Sequence, residues 1–165
     1  FLLLRAGGLL SSSASPLVAL PLLWMGLHAV KVVSSYHGGR LADRWGRRRT
    51  IVLGWAVYAA IYLAFGYATT PLQLGLLFVV YGLYHGLTEG AEKALIADIV
   101  PAAQRGAGFG WYYLSQGLLL LLANLMFGAL WDAFGARVAF LTSAGVAAVA
   151  SVAFIALARE RELTR

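Results

Sequence analysis

The sequence predicts an all-α membrane protein, a polytopic bundle with five complete transmembrane helices. Hydrophobic residues make up 61% of the 165 residues and charged residues only 12%, whereas a soluble domain carries roughly a quarter charged residues. Five apolar segments each approach the roughly 20 residues that a helix needs to cross the hydrocarbon core. Because unpaired backbone N–H and C=O groups are costly in hydrocarbon, these segments should be helical.

The predicted spans follow one another through short connectors and form a single bundle. They lie at about 16–36, 50–68, 72–99, 109–130 and 138–158. The connectors carry turn residues, and the first and third spans open near Pro16 and Pro71, which suit the first turn of a helix. Pro21 lies inside the first span, where a proline is expected to kink it.

The first ten residues form an apolar stub that is too short to span a bilayer. It lacks the basic start of a signal peptide, so we expect it to be the tail of a preceding helix. The chain is therefore expected to be a fragment of a longer protein.

The charges are concentrated between the apolar segments. The chain carries 13 Lys and Arg against 7 Asp and Glu, a net charge of +6. The basic residues stand at the ends of apolar segments, with no soluble module between them, so we expect a membrane role and no nucleic-acid partner. Without cysteine, disulfides and thiolate metal sites are excluded, and the three histidines lack metal-like spacing.

The arginines also predict orientation, because cytoplasmic loops are enriched in Lys and Arg. If the connector 38–49 faces the cytoplasm, alternation places the connector 101–106 and the C-terminus there too. This side receives nine arginines, namely Arg40, Arg44, Arg47, Arg48, Arg49, Arg105, Arg159, Arg161 and Arg165. The other side receives Arg137 and Arg5. We expect a plasma (inner) membrane protein with this topology.

The connector 38–49 has an internal frame that returns later in the chain. Two glycines surround an acid at Gly39, Asp43 and Gly46, and the frame recurs 89 residues later at Gly128, Asp132 and Gly135. Three predicted spans separate the copies, so they face opposite sides, as in transporters built from inverted repeats. Asp43 is expected to cap a helix N-terminus or pair with an arginine.

Two stretches resemble a known family. "GGRLADRWGRRR" is similar to the loop signature G-x-L-A-D-R-x-G-R-R-x of the major facilitator superfamily, and "IADIVPAAQRGAGFG" resembles a stretch between later helices of the same family. The resemblance implies that the signature helps lock one conformation. The signature residues assigned to this role are Gly39, Asp43, Arg44, Gly46, Arg47 and Arg48.

The resemblance also implies a function and a set of partners. It implies that the chain is part of a secondary active transporter that moves a small solute by alternating access. Transport would be driven by an ion gradient, with no ATP and no cofactor. No arginine stands four residues before Gly86, where the N-terminal half of the family usually has one. This favours the C-terminal half, that is, helices eight to twelve with a remnant of the seventh. The implied partners are the missing N-terminal half of the same transporter, the lipid bilayer, the small solute and protons as a candidate coupling ion.

The third span carries polar residues at helical spacing. Tyr81, His85, Glu89 and Lys93 recur every fourth residue and so share one stripe, with Glu92 beside it. An adjoining stripe, formed by Gly82, Gly86, Gly90 and Ala94, suits close helix packing. Charged side chains in spans usually face a cavity or the bundle interior. The alternative is that Glu89 and Lys93 only neutralise each other as an i,i+4 pair.

Two further spans present polar faces. Trp24, His28, Lys31 and Ser35 share a face of the first, and Lys31 is expected to meet Glu89, Glu92 or an anionic solute group. The second and fifth spans lack ionisable residues at depth. We therefore expect them outside the cavity, with Trp55, Tyr58 and Tyr62 on a lipid or packing surface. The cavity candidates are His28, Lys31, Tyr81, His85, Glu89, Glu92, Lys93, Tyr113, Gln116 and Asn124.

Other classes of function have weaker support. A membrane-embedded enzyme should show a nucleophile–base pair, and the sequence contains no such arrangement in a usable context, so no catalytic residue is expected. A non-transporting scaffold or receptor would not need three polar faces that converge. Both stay open as alternatives.

Overall fold

In the computed structural model, which describes residues 1–10 and 16–163, the chain is a bundle of six α-helices. Their bounds are α1 Leu2–Leu10, α2 Pro16–Trp45, α3 Arg47–Tyr67, α4 Pro71–Ile99, α5 Arg105–Phe134 and α6 Ala136–Leu163, with a short 3₁₀ turn at Ala102–Gln104 before α5. The part of the chain that the structure describes contains no strand. The all-α prediction is thus confirmed. The serine-rich connector 11–15 and Arg165 lie outside the described residues, as do the side chains of Arg159 and Arg161.

Four of the described helices are long and apolar enough to cross a membrane, namely α2, α3, α5 and α6. The remaining predicted span, α4, has 29 residues and includes the polar side chains of His85, Glu89, Glu92 and Lys93, and it is not among these four. Its place as a fifth span stays a prediction. The apolar stub is the nine-residue helix α1, and its being the tail of a preceding helix stays a prediction.

The helices extend beyond the predicted spans. The connector 38–49 is not an open loop, because α2 continues to Trp45 and α3 begins at Arg47, with Gly46 alone between them. The signature residues from Gly39 to Arg44 therefore occupy the last turns of a helix. α5 and α6 meet in the same way across Gly135. Helix α2 is also continuous through Pro21.

The start of α4 follows from a local hydrogen-bond pattern. The Gln73 backbone N–H donates to the Thr70 hydroxyl, and the Gln73 side chain accepts from the Thr70 backbone N–H, which forms a capping box. Pro71 occupies the first helical turn, where its missing N–H costs little.

Small residues set the distance between α2 and α4, the most closely packed pair of helices. A Cβ added at Gly86 would lie 2.6 Å from the Cβ of Ser34, and one at Gly82 would lie 2.8 Å from the Leu27 carbonyl oxygen. The buried Ser34 hydroxyl donates to the Gly82 carbonyl at 3.2 Å. The predicted ridge thus packs at Gly82 and Gly86, but Gly90 faces open space.

Aromatic rings fill the core between α3, α4 and α6. Phe65 and Phe140 stack with centroids 5.5 Å apart, and Phe78 meets Phe65 edge-on at 5.8 Å. All three side chains are fully buried. Helix α5 packs mainly on α6 and only slightly on α4, and the leucines from 118 to 122 are each more than half exposed. The contact between α4 and α5 is therefore loose.

Candidate functional site

A cavity of about 500 Å³ opens beside α2 and α4 and is bounded by side chains from all six helices. We call it the Lys31 cavity. Its polar and aromatic lining consists of Trp24, His28, Lys31, Tyr58, Tyr62, Tyr81, His85, Asn124, Phe127 and Ser143, together with Phe1, which precedes α1. A cavity of this size lined by aromatic side chains and a few polar groups is typical of small-molecule sites.

Half of the predicted cavity residues line this space. They are His28, Lys31, Tyr81, His85 and Asn124. Glu89 is joined to it through its ion pair with Lys31, and Lys93 in turn pairs with Glu89. Glu92 and Gln116 line a different pocket, and Tyr113, which is 51% exposed, lines neither.

The expectation that the second and fifth spans stand outside the cavity was wrong. Tyr58 and Tyr62 of α3 and Ser143 of α6 line the Lys31 cavity. Tyr58 and Tyr62 stack with centroids 4.1 Å apart, and Tyr58 also lies 5.0 Å from the ring of Tyr84. Their i,i+4 spacing showed a shared face, but only the packing of α3 against α4 decides which way that face points.

Three charged side chains form a chain of ion pairs at the edge of the cavity. One Glu89 oxygen, Oε2, lies 2.6 Å from the Lys31 Nζ, and the other, Oε1, lies 2.8 Å from the Lys93 Nζ. A carboxylate on α4 is one of the partners that the sequence predicted for Lys31. One carboxylate is thus shared by two ammonium groups, which leaves an excess positive charge.

The two cavity histidines sit among aromatic rings. The His28 Nδ1 lies 3.0 Å from the Trp24 carbonyl oxygen. Because a carbonyl only accepts, this nitrogen donates. The His85 ring meets Tyr81 at 4.8 Å and Tyr84 at 5.0 Å between centroids. Both imidazoles are therefore oriented by neighbours while they face the cavity.

Glu92 belongs to a second space, which we call the Glu92 pocket. It has a volume of about 580 Å³ and lies between α3, α4, α5 and α6. Trp55 donates its indole N–H to the carboxylate at 3.2 Å, and the Tyr112 hydroxyl donates to it at 3.0 Å. Glu92 thereby links three helices through neutral donors, which the sequence did not predict.

The signature region makes polar contacts with α4 through Arg47. Arg47 pairs with Asp98 and donates to the Ala94 carbonyl at 2.7 Å. Asp43 is exposed at the end of α2, and within the described residues it makes no hydrogen bond and no ion pair. The expectation that Asp43 caps a helix or pairs with an arginine is therefore not met, since the carboxylate that meets Arg47 is that of Asp98.

Three further signature residues are open to their surroundings. Arg44 and Arg48 are exposed, and a Cβ at Gly39 would meet nothing within 4 Å. The neighbouring Gly38, by contrast, is buried against the Gly86 backbone. Among the residues that the structure describes, no group of three or more His, Asp or Glu side chains is placed to hold a metal ion.

Comparison with known proteins gives a consistent match. A family model described as Major Facilitator Superfamily matches residues 8–165. An uncharacterized MFS-type transporter of Methanocaldococcus jannaschii is 36% identical over 93 residues, covering 56% of this chain and 23% of that protein. The multidrug resistance protein MdtG of Erwinia billingiae is 32% identical over 143 residues, covering 84% of this chain and 34% of that protein.

A third relative is named for ion exchange. The Na(+), Li(+), K(+)/H(+) antiporter of Planococcus maritimus is 29% identical over 103 residues, covering 59% of this chain and 24% of that protein. The chain thus spans about a quarter to a third of the length of these relatives. No solved structure matches it significantly.

Proposed function

This chain belongs to the major facilitator superfamily, and from that membership we propose that it is part of a secondary active transporter that moves a small solute by alternating access. It is an integral membrane protein, since it belongs to a family of membrane transporters and four of its described helices are long and apolar enough to cross a membrane. The observation that carries the proposal is the Lys31 cavity. It places an ion pair between α2 and α4 and a set of aromatic side chains inside an apolar bundle.

We further propose that the chain corresponds to the C-terminal half of the transporter. In this assignment α1 is the end of the seventh helix and α2 to α6 are the eighth to the twelfth. The exposed faces of α2 and α5 would then meet lipid and the missing N-terminal half. The connector 38–49, the connector 101–106 and the C-terminus would face the cytoplasm, with the membrane being the plasma (inner) membrane.

Coupling to a proton gradient is the favoured energy source in this proposal. It requires titratable groups in or beside the solute path. His85 lines the Lys31 cavity, Glu89 is paired at its edge, and Glu92 lies in the adjoining pocket. Each is therefore a candidate carrier of the coupled proton.

The test is flux into liposomes that contain the purified full-length protein. We expect saturable uptake of at least one member of a panel of organic anions, organic cations, neutral solutes and alkali cations, and faster uptake when a pH gradient is imposed. Residues 1–165 alone should give no flux, because one half exposes only half of the cavity. Empty liposomes are the control.

Two results would count against the proposal in different ways. Absence of flux for every solute class, with a folded protein in the membrane, would contradict the transport function. Saturable uptake by residues 1–165 alone would contradict the assignment of this chain as one half.

A further inference from the structure

We propose that the Lys31 cavity takes a small planar organic anion, whose carboxylate replaces Glu89 at the Lys31 ammonium. The inference rests on the proposed transport function and names the class of solute. It is carried by the charges of the cavity, by the arrangement of the three ion-paired side chains, and by the aromatic lining.

The charge of the cavity is positive. Lys31 is the one Lys, Arg, Asp or Glu among the described residues that line it. The one carboxylate that pairs with Lys31 is that of Glu89, and Glu89 also pairs with Lys93. The side chains of Lys31, Glu89 and Lys93 keep 30%, 37% and 39% of their surface exposed, so a solute can reach them. The excess positive charge favours the entry of an anion and opposes that of a cation.

The ion pairs allow an exchange of partners at low cost. Glu89 uses Oε2 for Lys31 and Oε1 for Lys93. When an anion occupies the Lys31 Nζ, Glu89 keeps its contact with Lys93, its i,i+4 neighbour on α4, so no carboxylate is left unpaired. Lys93 is therefore a positioning residue, since it acts on the solute through Glu89 and does not line the cavity.

The lining indicates a flat solute body. Trp24, Tyr58, Tyr62 and Tyr81 line the same cavity as Lys31, and aromatic side chains favour planar groups by stacking. The carboxylate of Glu92, which would suit a cation, lies in the separate Glu92 pocket.

Three solutes of nearly equal shape and different charge test the class. Benzoate, benzamide and benzamidine carry a negative, a neutral and a positive group on the same ring. Equilibrium binding of each radiolabelled solute to the full-length protein in detergent gives the comparison, and needs no variant. We expect benzoate to bind at least about tenfold more tightly than the other two, since a charge-assisted contact supplies that difference.

Variants test the exchange itself. Lys31→Ala should weaken benzoate binding about tenfold or more. Glu89→Gln should strengthen it several-fold, because it removes the competitor for Lys31. Lys93→Met should weaken it several-fold, because Glu89 then has no other partner and holds Lys31. Arg105→Ala removes an exposed positive charge outside the cavity and should leave binding unchanged.

The outcomes separate the inference from the proposed function. Equal or tighter binding of benzamidine, together with saturable transport of a cation or a neutral solute, overturns the anion class while transport stands. A Glu89→Gln variant that folds and binds benzoate as weakly as Lys31→Ala overturns the exchange. If no solute of any charge binds or crosses the membrane, the transport function fails and this inference fails with it.

Discussion

Gly46 and Gly135 occupy the same backbone position in two copies of one helix–glycine–helix arrangement. Each stands alone between two helices, with φ values of +90° and +84°. The Gly46 N–H donates to the Ala42 carbonyl at 3.0 Å, and the Gly135 N–H donates to the Trp131 carbonyl at 2.9 Å. The two glycines are 89 residues apart, which is the offset of the repeated sequence frame. The frame thus codes for a shared conformation.

The positive φ at Gly46 predicts a cost for any side chain there. Gly46→Ala should lower the free energy of unfolding by about 1–3 kcal/mol, because φ +90° with ψ 141° is a backbone conformation that residues with a Cβ adopt only under strain. Thermal unfolding of the purified protein in detergent, followed by circular dichroism, measures the change.

Gly39→Ala is the matched control for that substitution. Gly39 lies inside α2 with open space around its Cα, so alanine should stabilise the helix by about 0.5–1 kcal/mol. Opposite signs for the two variants are expected. Equal destabilisation would mean that the turn conformation does not limit stability.

The contact between α2 and α4 predicts a second pair of glycine effects. Gly86→Ala should destabilise the protein by about 1–3 kcal/mol, because the added Cβ would overlap the side chain and the backbone of Ser34. Gly90→Ala, one turn later on the same helix, meets open space and should be neutral or stabilising. The comparison is made by thermal unfolding, and similar losses at both positions would contradict close packing at Gly86.

The Arg47 contact predicts different roles for two acids near the same end of the bundle. Asp98→Asn should lower the thermal midpoint and alter the rate of transport, because it weakens the hold of α3 on α4. Asp43→Asn should leave the stability of this conformation unchanged, since within the described residues Asp43 makes no hydrogen bond and no ion pair. The two substitutions are chemically identical, so each serves as control for the other. A larger stability loss for Asp43→Asn would refute this account.

The arginine distribution predicts which side each connector faces. Single cysteines at positions 48 and 105 should react with a membrane-impermeant maleimide only after the cells are opened, and a cysteine at 132 should react in intact cells. The native residues Arg48, Arg105 and Asp132 are all exposed, and the chain contains no cysteine of its own. Labelling of position 48 in intact cells would reverse the proposed topology.

Much of the candidate site followed from local spacing. Tyr81 and His85 were predicted from four-residue periodicity on one helix, and His28 and Lys31 from the shared face of another. Such patterns show which residues lie together on a helix. They do not show which helix comes opposite, and that is why Glu92 was assigned to the same cavity as Lys31, although it points to a different one.

The sequence by itself determined the class of this protein. Long apolar segments without charge can pair their backbone N–H and C=O groups in a membrane by forming helices. The signature and its repeat indicate the family and the places where consecutive helices meet. These are properties of local composition and of short-range hydrogen bonds, which a sequence shows directly.

Only the tertiary structure decided which side chains meet. The packing of Gly82 and Gly86 against α2 brings Glu89 to Lys31, and the packing of α3 beside α4 places Tyr58 and Tyr62 in the cavity wall. The same packing brings Arg47 within ion-pairing distance of Asp98 and leaves Asp43 exposed. These relations depend on the rotation of each helix about its own axis, which is set by the fit of small and large side chains across interfaces between residues far apart in the chain.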